Sequence, residues 1–249
     1  MRGLLITGTD TGVGKTFVGC GLAAALTVQG KTVGVLKPAE TGCAMRNGSL
    51  YPEDAVRLAA FAQSSLPLDQ ICPYRFAPPV APSVAAELTG VAIEPRRISE
   101  TFTHIATQHD FTIVEGAGGL LVPLVGRYTF ANLAHDLRLP LLVVVGSKLG
   151  ALNHTLLTLH CAQTLSLPVT GYILNHPTPA SDTAIQTNAH TLAQLTDTRS
   201  LGALPFFSLS NDVERDRCTF SDVFSATIDL SYVLGENAPP PTVSHDPNN

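Results

Sequence analysis

The 249-residue chain has few charged residues, and its basic residues do not cluster. Only 14% of the residues are Asp, Glu, Lys or Arg, and the formal net charge is −5. Non-specific nucleic-acid binding requires a basic patch that neutralises phosphates, so no nucleic-acid partner is expected. Because 45% of the residues are hydrophobic, the chain can bury a large core, and wholesale disorder is not expected.

Cysteines are also few, and their spacing is irregular. The five lie at positions 20, 43, 72, 161 and 218, with no C-x-x-C pair and no fixed spacing to the eight histidines. A disulfide framework or a zinc site requires such spacing. We therefore expect reduced thiols in a cytoplasmic protein, with histidines that are structural or at the surface.

Long apolar runs are absent as well. The apolar run at 139–145 is far too short to span a bilayer, and the first apolar stretch is not preceded by the charged region of a signal segment. We expect no membrane partner. The polar, proline-rich residues 236–249 predict a disordered tail that follows one domain, residues 1–235.

The sequence does contain a regular alternation of short apolar runs and helix-compatible segments. The predicted strands are 4–6, 31–36, 111–114, 141–145, 169–174 and 201–204. The predicted helices are 17–26, 51–61, 95–109, 151–165, 180–195 and 219–234, with loops at 39–43 and 66–82. This alternation predicts an α/β fold with a doubly wound, mostly parallel sheet of the P-loop type, which binds ligands beyond the carboxyl ends of its strands.

Residues 8–16, with the sequence GTDTGVGKT, stand between the first predicted strand and the first predicted helix. Strand, glycine-rich turn and helix form the context of a phosphate-binding loop, whose N–H groups surround phosphates. Lys15 is expected to reach the outer phosphates and Thr16 to ligate Mg²⁺. The loop is one residue longer than G-x₄-G-K-T, because Gly8 rather than Thr9 supplies the first glycine. The alternative is a glycine-rich turn with a surface lysine.

Four further polar side chains end predicted strands or begin a helix. Lys37 could stabilise a transferring phosphoryl group or a carboxylate, or it could extend from the sheet end into water. Glu115 could hold Mg²⁺ or simply begin the glycine-rich turn at 116–119. The glycines of this turn would let the backbone approach the nucleotide. Asp54 could face the metal or complement a helix dipole. Asn175 could meet adenine or shape a turn before a proline.

Residues 146–150 lead into the helix that is predicted to begin at Ala151. The free N–H groups at this helix N-terminus, together with Asn153, could accept a carboxylate. An ordinary helix cap is the alternative.

Taken together, these motifs resemble the dethiobiotin synthetase family. The resemblance lies in residues 8–16, Lys37 and Pro38 with Thr41 and Gly42, 114–119, 146–154, and Leu174 with Asn175. It runs from residue 3 to about 207, and each motif alone also occurs in other P-loop proteins. The resemblance implies ATP- and Mg²⁺-dependent carboxylation of 7,8-diaminononanoate with CO2. The ring then closes to dethiobiotin through a carbamate and a carbamic-phosphoric anhydride.

The resemblance also implies a set of site residues in this sequence. The catalytic residues would be Lys15, Lys37 and Thr11, and the Mg²⁺ ligands would be Thr16, Asp54 and Glu115. The nucleotide would be bound by Gly12, Val13, Gly14, Lys15, Thr16, Phe17, Asp54, Glu115, Gly116, Ala117, Gly118, Asn175, His176, Pro205, Phe206 and Phe207. The substrate would be bound by Thr41 and, from the neighbouring subunit of a homodimer, by Gly150, Ala151, Leu152 and Asn153.

Two other P-loop classes are alternatives. A partitioning or septum-placement ATPase switch carries an additional lysine early in the phosphate loop, where this chain has Thr9 and Asp10. The membrane-binding type ends in a basic amphipathic helix, whereas this sequence ends in prolines and asparagines. A ligase of the corrinoid amidase group needs a glutaminase region, for which no room is expected after Phe207.

Overall fold

The computed structural model describes residues 2–179, 182–210 and 212–236. The strands in these ranges are β1 (Gly3–Gly8), β2 (Val33–Leu36), β3 (Ala39–Thr41), β4 (Ala44–Arg46), β5 (Ser49–Tyr51), β6 (Tyr74–Phe76), β7 (Phe111–Gly119), β8 (Pro123–Val125), β9 (Tyr128–Thr129), β10 (Leu141–Gly146), β11 (Val169–Asn175) and β12 (Ser200–Leu204). The helices are α1 (Lys15–Val28), α2 (Glu53–Phe61), α3 (Leu68–Ile71), α4 (Pro82–Thr89), α5 (Pro95–Ala106), α6 (Phe130–Asp136), α7 (Ala151–Thr164), α8 (Thr183–Leu195), α9 (Val213–Thr227) and α10 (Leu230–Val233). Residues 237–249 of the predicted tail lie outside the described residues.

Six of these strands form one parallel sheet in the order β12-β11-β10-β1-β7-β2. Leu5 of β1 is paired with Leu141 of β10 on one side and with Val114 of β7 on the other. The later strands lie on both sides of β1, so the strand order reverses there. Sheets of this kind bind ligands at the carboxyl edge where the order reverses, and the phosphate loop that follows β1 lies at this point.

Helices cover both faces of the sheet. On one face, α1, α2 and α9 contribute Leu22, Leu58 and Phe224 to a core layer. On the other face, α5 and α6 contribute Ile105 and Leu133 to a second layer. Strand β10 is buried along its whole length, as expected for a parallel strand that is covered on both sides. The predicted doubly wound α/β fold is confirmed.

Several short elements lie beside the main sheet, and the sequence did not predict them. The expected loop at 39–43 begins with β3, which pairs in parallel with β6 through Ala39 and Tyr74. Strands β4 and β5 form an antiparallel hairpin, as do β8 and β9. Helix α4 begins at the end of the predicted proline-rich loop, with Pro82 in its first turn, where the missing N–H has no intrahelical partner to lose.

The single predicted helix at 219–234 is wrong. Helix α9 begins earlier, after Asp212, whose side chain accepts N–H groups at its start. Asp229 divides the predicted range, because it accepts an N–H group at the start of α10. The predicted start of α8 at Ala180 lies outside the described residues, and α8 is seen from Thr183. The five cysteines are free thiols. In the part of the chain that is described, no helix is long and apolar enough to cross a membrane.

Candidate active site

A polar cavity of about 310 Å³ lies at the carboxyl edge of the sheet, where the strand order reverses. Its lining comes from the phosphate loop, the segments at the ends of β2 and β7, and the start of α2. The lining residues are Thr11, Gly12, Gly14, Lys15, Thr16, Lys37, Glu40, Thr41, Asp54, Glu115, Ala117 and Gly118. Lys15, Lys37 and Glu115, which come from separate segments, therefore face one cavity.

Contacts on both sides hold the phosphate loop in place. Gly14 precedes α1 with a φ of 95°, and a Cβ atom there would lie 2.2 Å from Nδ2 of Asn175. The same Nδ2 donates to the carbonyl oxygen of Val13 at 2.9 Å. Lys15 Nζ donates to the carbonyl oxygen of Asp10 at 3.2 Å. The loop thus presents the N-terminus of α1, with its unpaired N–H groups and positive dipole end, to the cavity.

A buried ionic cluster lines the same cavity beside the loop. Lys37 Nζ donates to Glu115 Oε1 at 2.5 Å and to Asp54 Oδ2 at 2.8 Å. The hydroxyl of Thr16 donates to the same oxygen of Glu115 at 2.7 Å. Lys37 is 2% exposed and Glu115 is fully buried. Since an unpaired buried charge is costly, each of these charges depends on its partners.

The two lysines differ in how their charge is balanced. Burial alone would lower the pKa of Lys37, but the carboxylates of Glu115 and Asp54 outweigh burial and raise it. Burial, and then the charge of Lys37, lowers the pKa of Lys15 to about 8. Both effects disfavour the charged form of Lys15, and a bound anion would favour it.

The predicted metal ligands offer one hydroxyl and two carboxylates. Glu115 Oε2 is buried without a hydrogen-bond partner among the described residues. Those residues include no group of three or more His, Cys, Asp or Glu side chains arranged to hold a metal ion. Mg²⁺ commonly binds through one or two carboxylates together with phosphates and water. Thr16, Asp54 and Glu115 fit that kind of site, in which the nucleotide completes the coordination.

A second, more apolar cavity of about 250 Å³ shares Gly14 with the first. It is lined by Gly14, Phe17, Asn175, His176, Pro177, Phe206, Phe207, Ser208 and Leu209. The ring centroids of Phe17 and Phe207 lie 4.8 Å apart, and both rings contact the ring of Phe220. We call the first the phosphate cavity, because the phosphate loop lines it, and the second the aromatic cavity. Pro177, Ser208 and Leu209 were not among the predicted residues.

Other predicted residues line neither cavity. Val13 and Gly116 are buried, and Pro205 is exposed after β12. Gly150, Ala151, Leu152 and Asn153 lie at the N-terminus of α7, where Gly150 and Asn153 are exposed. Within one chain, this segment is not brought to the phosphate cavity.

Glu40 also lines the phosphate cavity but was not among the predicted residues. Its carboxylate accepts hydrogen bonds from the backbone N–H groups of Asp54 and Ala55, each at 3.0 Å. The signal that could have identified it is its position between Lys37 and Thr41, two predicted site residues.

Comparison with known proteins identifies the family. A family model described as "AAA domain" matches residues 2–213. The chain is 42% identical over 228 residues to an "ATP-dependent dethiobiotin synthetase BioD" of Anaeromyxobacter dehalogenans (strain 2CP-C), which covers 92% of this chain and 99% of that protein. A protein of the same name from Thermodesulfovibrio yellowstonii is 38% identical over 217 residues, which covers 84% of this chain and 90% of the relative.

A solved structure shows the same fold at low sequence identity. It is described as the MinC:MinD cell division protein complex of Aquifex aeolicus. It aligns with a TM-score of 0.55 over 96% of this chain and 98% of that chain, at 12% identity. That likeness concerns the fold alone, whereas the relatives named above share extensive sequence. The chain therefore belongs to the ATP-dependent dethiobiotin synthetase family.

Proposed function

We propose that this protein is an ATP-dependent ligase that carboxylates 7,8-diaminononanoate with CO2 and closes the ureido ring to give dethiobiotin, ADP and phosphate. The observation that carries the proposal is the convergence of Lys15, Lys37 and Glu115 on one cavity beside the phosphate loop. The names of the curated relatives support it.

The reaction we propose proceeds in three steps. One amine of the substrate adds to CO2, loses a proton and becomes a carbamate. A carbamate oxygen then attacks the γ-phosphorus of ATP, the bond to ADP breaks, and a carbamic-phosphoric anhydride forms. The second amine attacks the carbonyl carbon and expels phosphate, which takes one oxygen atom that came from CO2. Each step requires positioning and charge stabilisation more than covalent help from the protein.

The cationic side chains stabilise the phosphoryl transfer in this proposal. Lys15 lies in the phosphate loop, and Lys37, which lines the same cavity, is fixed by Asp54 and Glu115. Positive groups held in place before the reaction stabilise charge that develops on the transferring group. Thr16, Asp54 and Glu115 would hold Mg²⁺, which when bound neutralises charge on the phosphates.

The hydroxyls of Thr11 and Thr41 position the substrate in the proposal, because both line the phosphate cavity. Adenine would occupy the aromatic cavity that Phe17, Phe206 and Phe207 line. The Asn175 amide uses one N–H on the phosphate loop, so it keeps a second N–H and its carbonyl oxygen for the edge of the base.

The active assembly we propose is a cytoplasmic homodimer of one-domain subunits spanning residues 1–235. The first turn of α7, with Gly150 and Asn153 exposed, would bind the substrate carboxylate for the neighbouring subunit. A helix N-terminus suits a carboxylate because its N–H groups and dipole attract negative charge.

The test is incubation of the purified protein with ¹⁴C-bicarbonate, MgATP and diaminononanoate. We expect an acid-stable labelled product and phosphate release that depends on the diamine. A monoamine of the same length is the control, since it can form a carbamate but cannot close a ring, and its label is lost in acid. Phosphate release that is indifferent to the diamine, with no acid-stable label, would show that the assignment is wrong.

A further inference from the structure

One buried carboxylate joins the chain segment that carries Lys37 to the helix that carries Asp54. Glu40 lies in β3 and is 6% exposed. Its Oε1 accepts the N–H of Asp54 and its Oε2 accepts the N–H of Ala55, both at 3.0 Å. Both carboxylate oxygens of Glu40 therefore bind the first turn of α2.

Helix α2 has no cap of its own. The residue at the cap position is Pro52, and no side-chain cap bond is made there. The first N–H groups of a helix lack intrahelical partners, and a Ser, Thr, Asp or Asn at the cap usually accepts one of them. Glu40, 14 positions from Asp54 in sequence, takes that role and also places a negative charge at the positive end of the helix dipole.

This contact fixes Asp54 from its backbone side. The side chain of Asp54 is 41% exposed, so burial alone does not hold it. Its Oδ2 accepts the bond from Lys37 Nζ at 2.8 Å, while its N–H is bound by Glu40. The backbone of Glu40 is anchored in turn, because β3 pairs with β6 at Glu40 and Arg75.

We propose that Glu40 is a positioning residue that holds Asp54 against Lys37, and so sets the geometry of Asp54 at the phosphate cavity. Glu40 acts through Asp54 and takes no part in the chemistry itself. The inference rests on the proposed function for the identity of the reaction. The contacts between Glu40 and α2 do not depend on that identity.

The first test is Glu40→Gln, which keeps the size of the side chain but turns one acceptor into an NH2 group that faces an N–H donor. We expect kcat to fall about 10- to 100-fold, the range that follows from a small misplacement of reacting groups. The KM for the diamine should change by less than about threefold, since Glu40 does not bind it. Glu53→Gln is the matched control, because it removes an exposed charge from the same helix turn; its kcat should stay within about twofold of wild type.

A double-mutant cycle shows whether Glu40 acts through Asp54. In an Asp54→Asn background, we expect Glu40→Gln to cause no further loss of kcat, because the group that it positions is already disabled. Titration of fluorescent ADP with Mg²⁺ gives a readout besides activity, and both single variants should require about tenfold more Mg²⁺ for the same binding. Equal losses from Glu40→Gln in both backgrounds, or wild-type kcat in the single variant, would overturn the proposal.

Amide hydrogen exchange keeps the test independent of how well a variant folds. In the wild-type protein, the amides of Asp54 and Ala55 should exchange more slowly than that of Glu53, because only the first two are bound by Glu40. Equally fast exchange at all three would contradict the contact. If the wild-type protein does not carboxylate the diamine, the proposed function fails, while exchange and Mg²⁺ titration still decide the role of Glu40.

Discussion

Lys37 is a buried cation that keeps its charge through two carboxylates. It is 2% exposed and bound to Glu115 and Asp54, and these partners raise its pKa after burial has lowered it. A group fixed in this way can stabilise a transition state without being reoriented during the reaction. Because a buried ion without a partner costs several kcal/mol, the charge of Lys37 depends on both carboxylates.

Lys37→Ala should lower turnover about 10²–10³-fold, as the loss of one charged donor from a preorganised site does. Lys31→Ala is the matched control, because Lys31 precedes the same strand at its opposite end. Turnover is measured as diamine-dependent phosphate release, and folding is checked by nucleotide binding. A Lys37→Ala variant within a few-fold of wild type would remove Lys37 from the mechanism.

Gly14→Ala should weaken nucleotide binding by more than about tenfold, because the new Cβ would meet Nδ2 of Asn175 at 2.2 Å. The control is Gly30→Ala, since Gly30 also has positive φ but no atom within 4 Å of the added Cβ. Both variants add backbone strain of about 1 kcal/mol, and Gly14→Ala adds the clash with Asn175, so its unfolding temperature should fall at least as far as that of Gly30→Ala. Equal nucleotide affinities in the two variants would contradict the contact between the phosphate loop and Asn175.

The sequence predicted most residues of the phosphate cavity because they follow directly on recognisable strands. Lys37 and Glu115 each come immediately after an apolar run. The carboxyl ends of parallel strands lie at one edge of the sheet, so such residues lie close together there. Glu40 could not be found in this way, since its partners are backbone groups of a helix that begins 13 residues later. Ser208 and Leu209 lie in an irregular segment that carries no motif.

At the scale of elements, strand β10 was predictable and the short strands were not. Every residue of β10 is buried, so its sequence is a continuous apolar run. Strands β3 and β6 have three residues each and form by pairing with one another, and three residues are too few to show a period. Helix α9 begins before its first fully buried apolar residue, Phe220, which is why its polar first turns were missed.

Asp229→Asn should destabilise the packing of α10 in a pH-dependent way. Asp229 accepts bonds from Ser231, Tyr232 and Arg199, and the Ser231 hydroxyl above all lowers the pKa of Asp229. Because the pKa of Asp229 is lowered in the folded state, its ionised carboxylate stabilises the fold at pH values above the ordinary aspartate pKa of about 3.9. This contribution to the free energy of unfolding is lost as the pH falls below that value. We expect a loss of about 1 kcal/mol at pH 7 that persists down to about pH 4 and shrinks only below it.

Urea unfolding at several pH values measures this effect. Asp222→Asn is the control, because Asp222 is exposed on α9, and it should change the free energy of unfolding by less than about 0.5 kcal/mol. A loss in Asp229→Asn that is the same at every pH would show that the carboxylate charge is not responsible.

At the scale of the whole molecule, the proposed shared site predicts complementation between two defective subunits. Lys37→Ala disables the phosphate cavity, and Asn153→Asp places a negative charge where the substrate carboxylate would bind. In a mixed dimer, each site takes its cavity from one subunit and its α7 segment from the other. The site that combines the cavity of the Asn153→Asp subunit with the α7 segment of the Lys37→Ala subunit is free of both changes. Equal co-expression should restore about a quarter of wild-type turnover, since half of the dimers have one intact site of two.

Differently tagged subunits allow the mixed dimers to be isolated, and these should show about half of wild-type turnover, since one of their two sites is intact. Dimers of each variant alone provide the baseline. Mixed dimers that are no more active than this baseline would show that each subunit binds its substrate alone. A monomer in sedimentation at working concentration would rule out the shared site altogether.

The transfer of one oxygen atom tests the central claim most directly. If Lys15 and Lys37 act on the phosphorylation of a carbamate, an oxygen of CO2 must leave in the phosphate when the ring closes. The measurement is ³¹P NMR of the phosphate formed from ¹⁸O-bicarbonate, MgATP and diaminononanoate, taken before exchange with water dilutes the label. We predict one ¹⁸O atom per phosphate released; phosphate without ¹⁸O would contradict the account, because ATP would then have been cleaved by water.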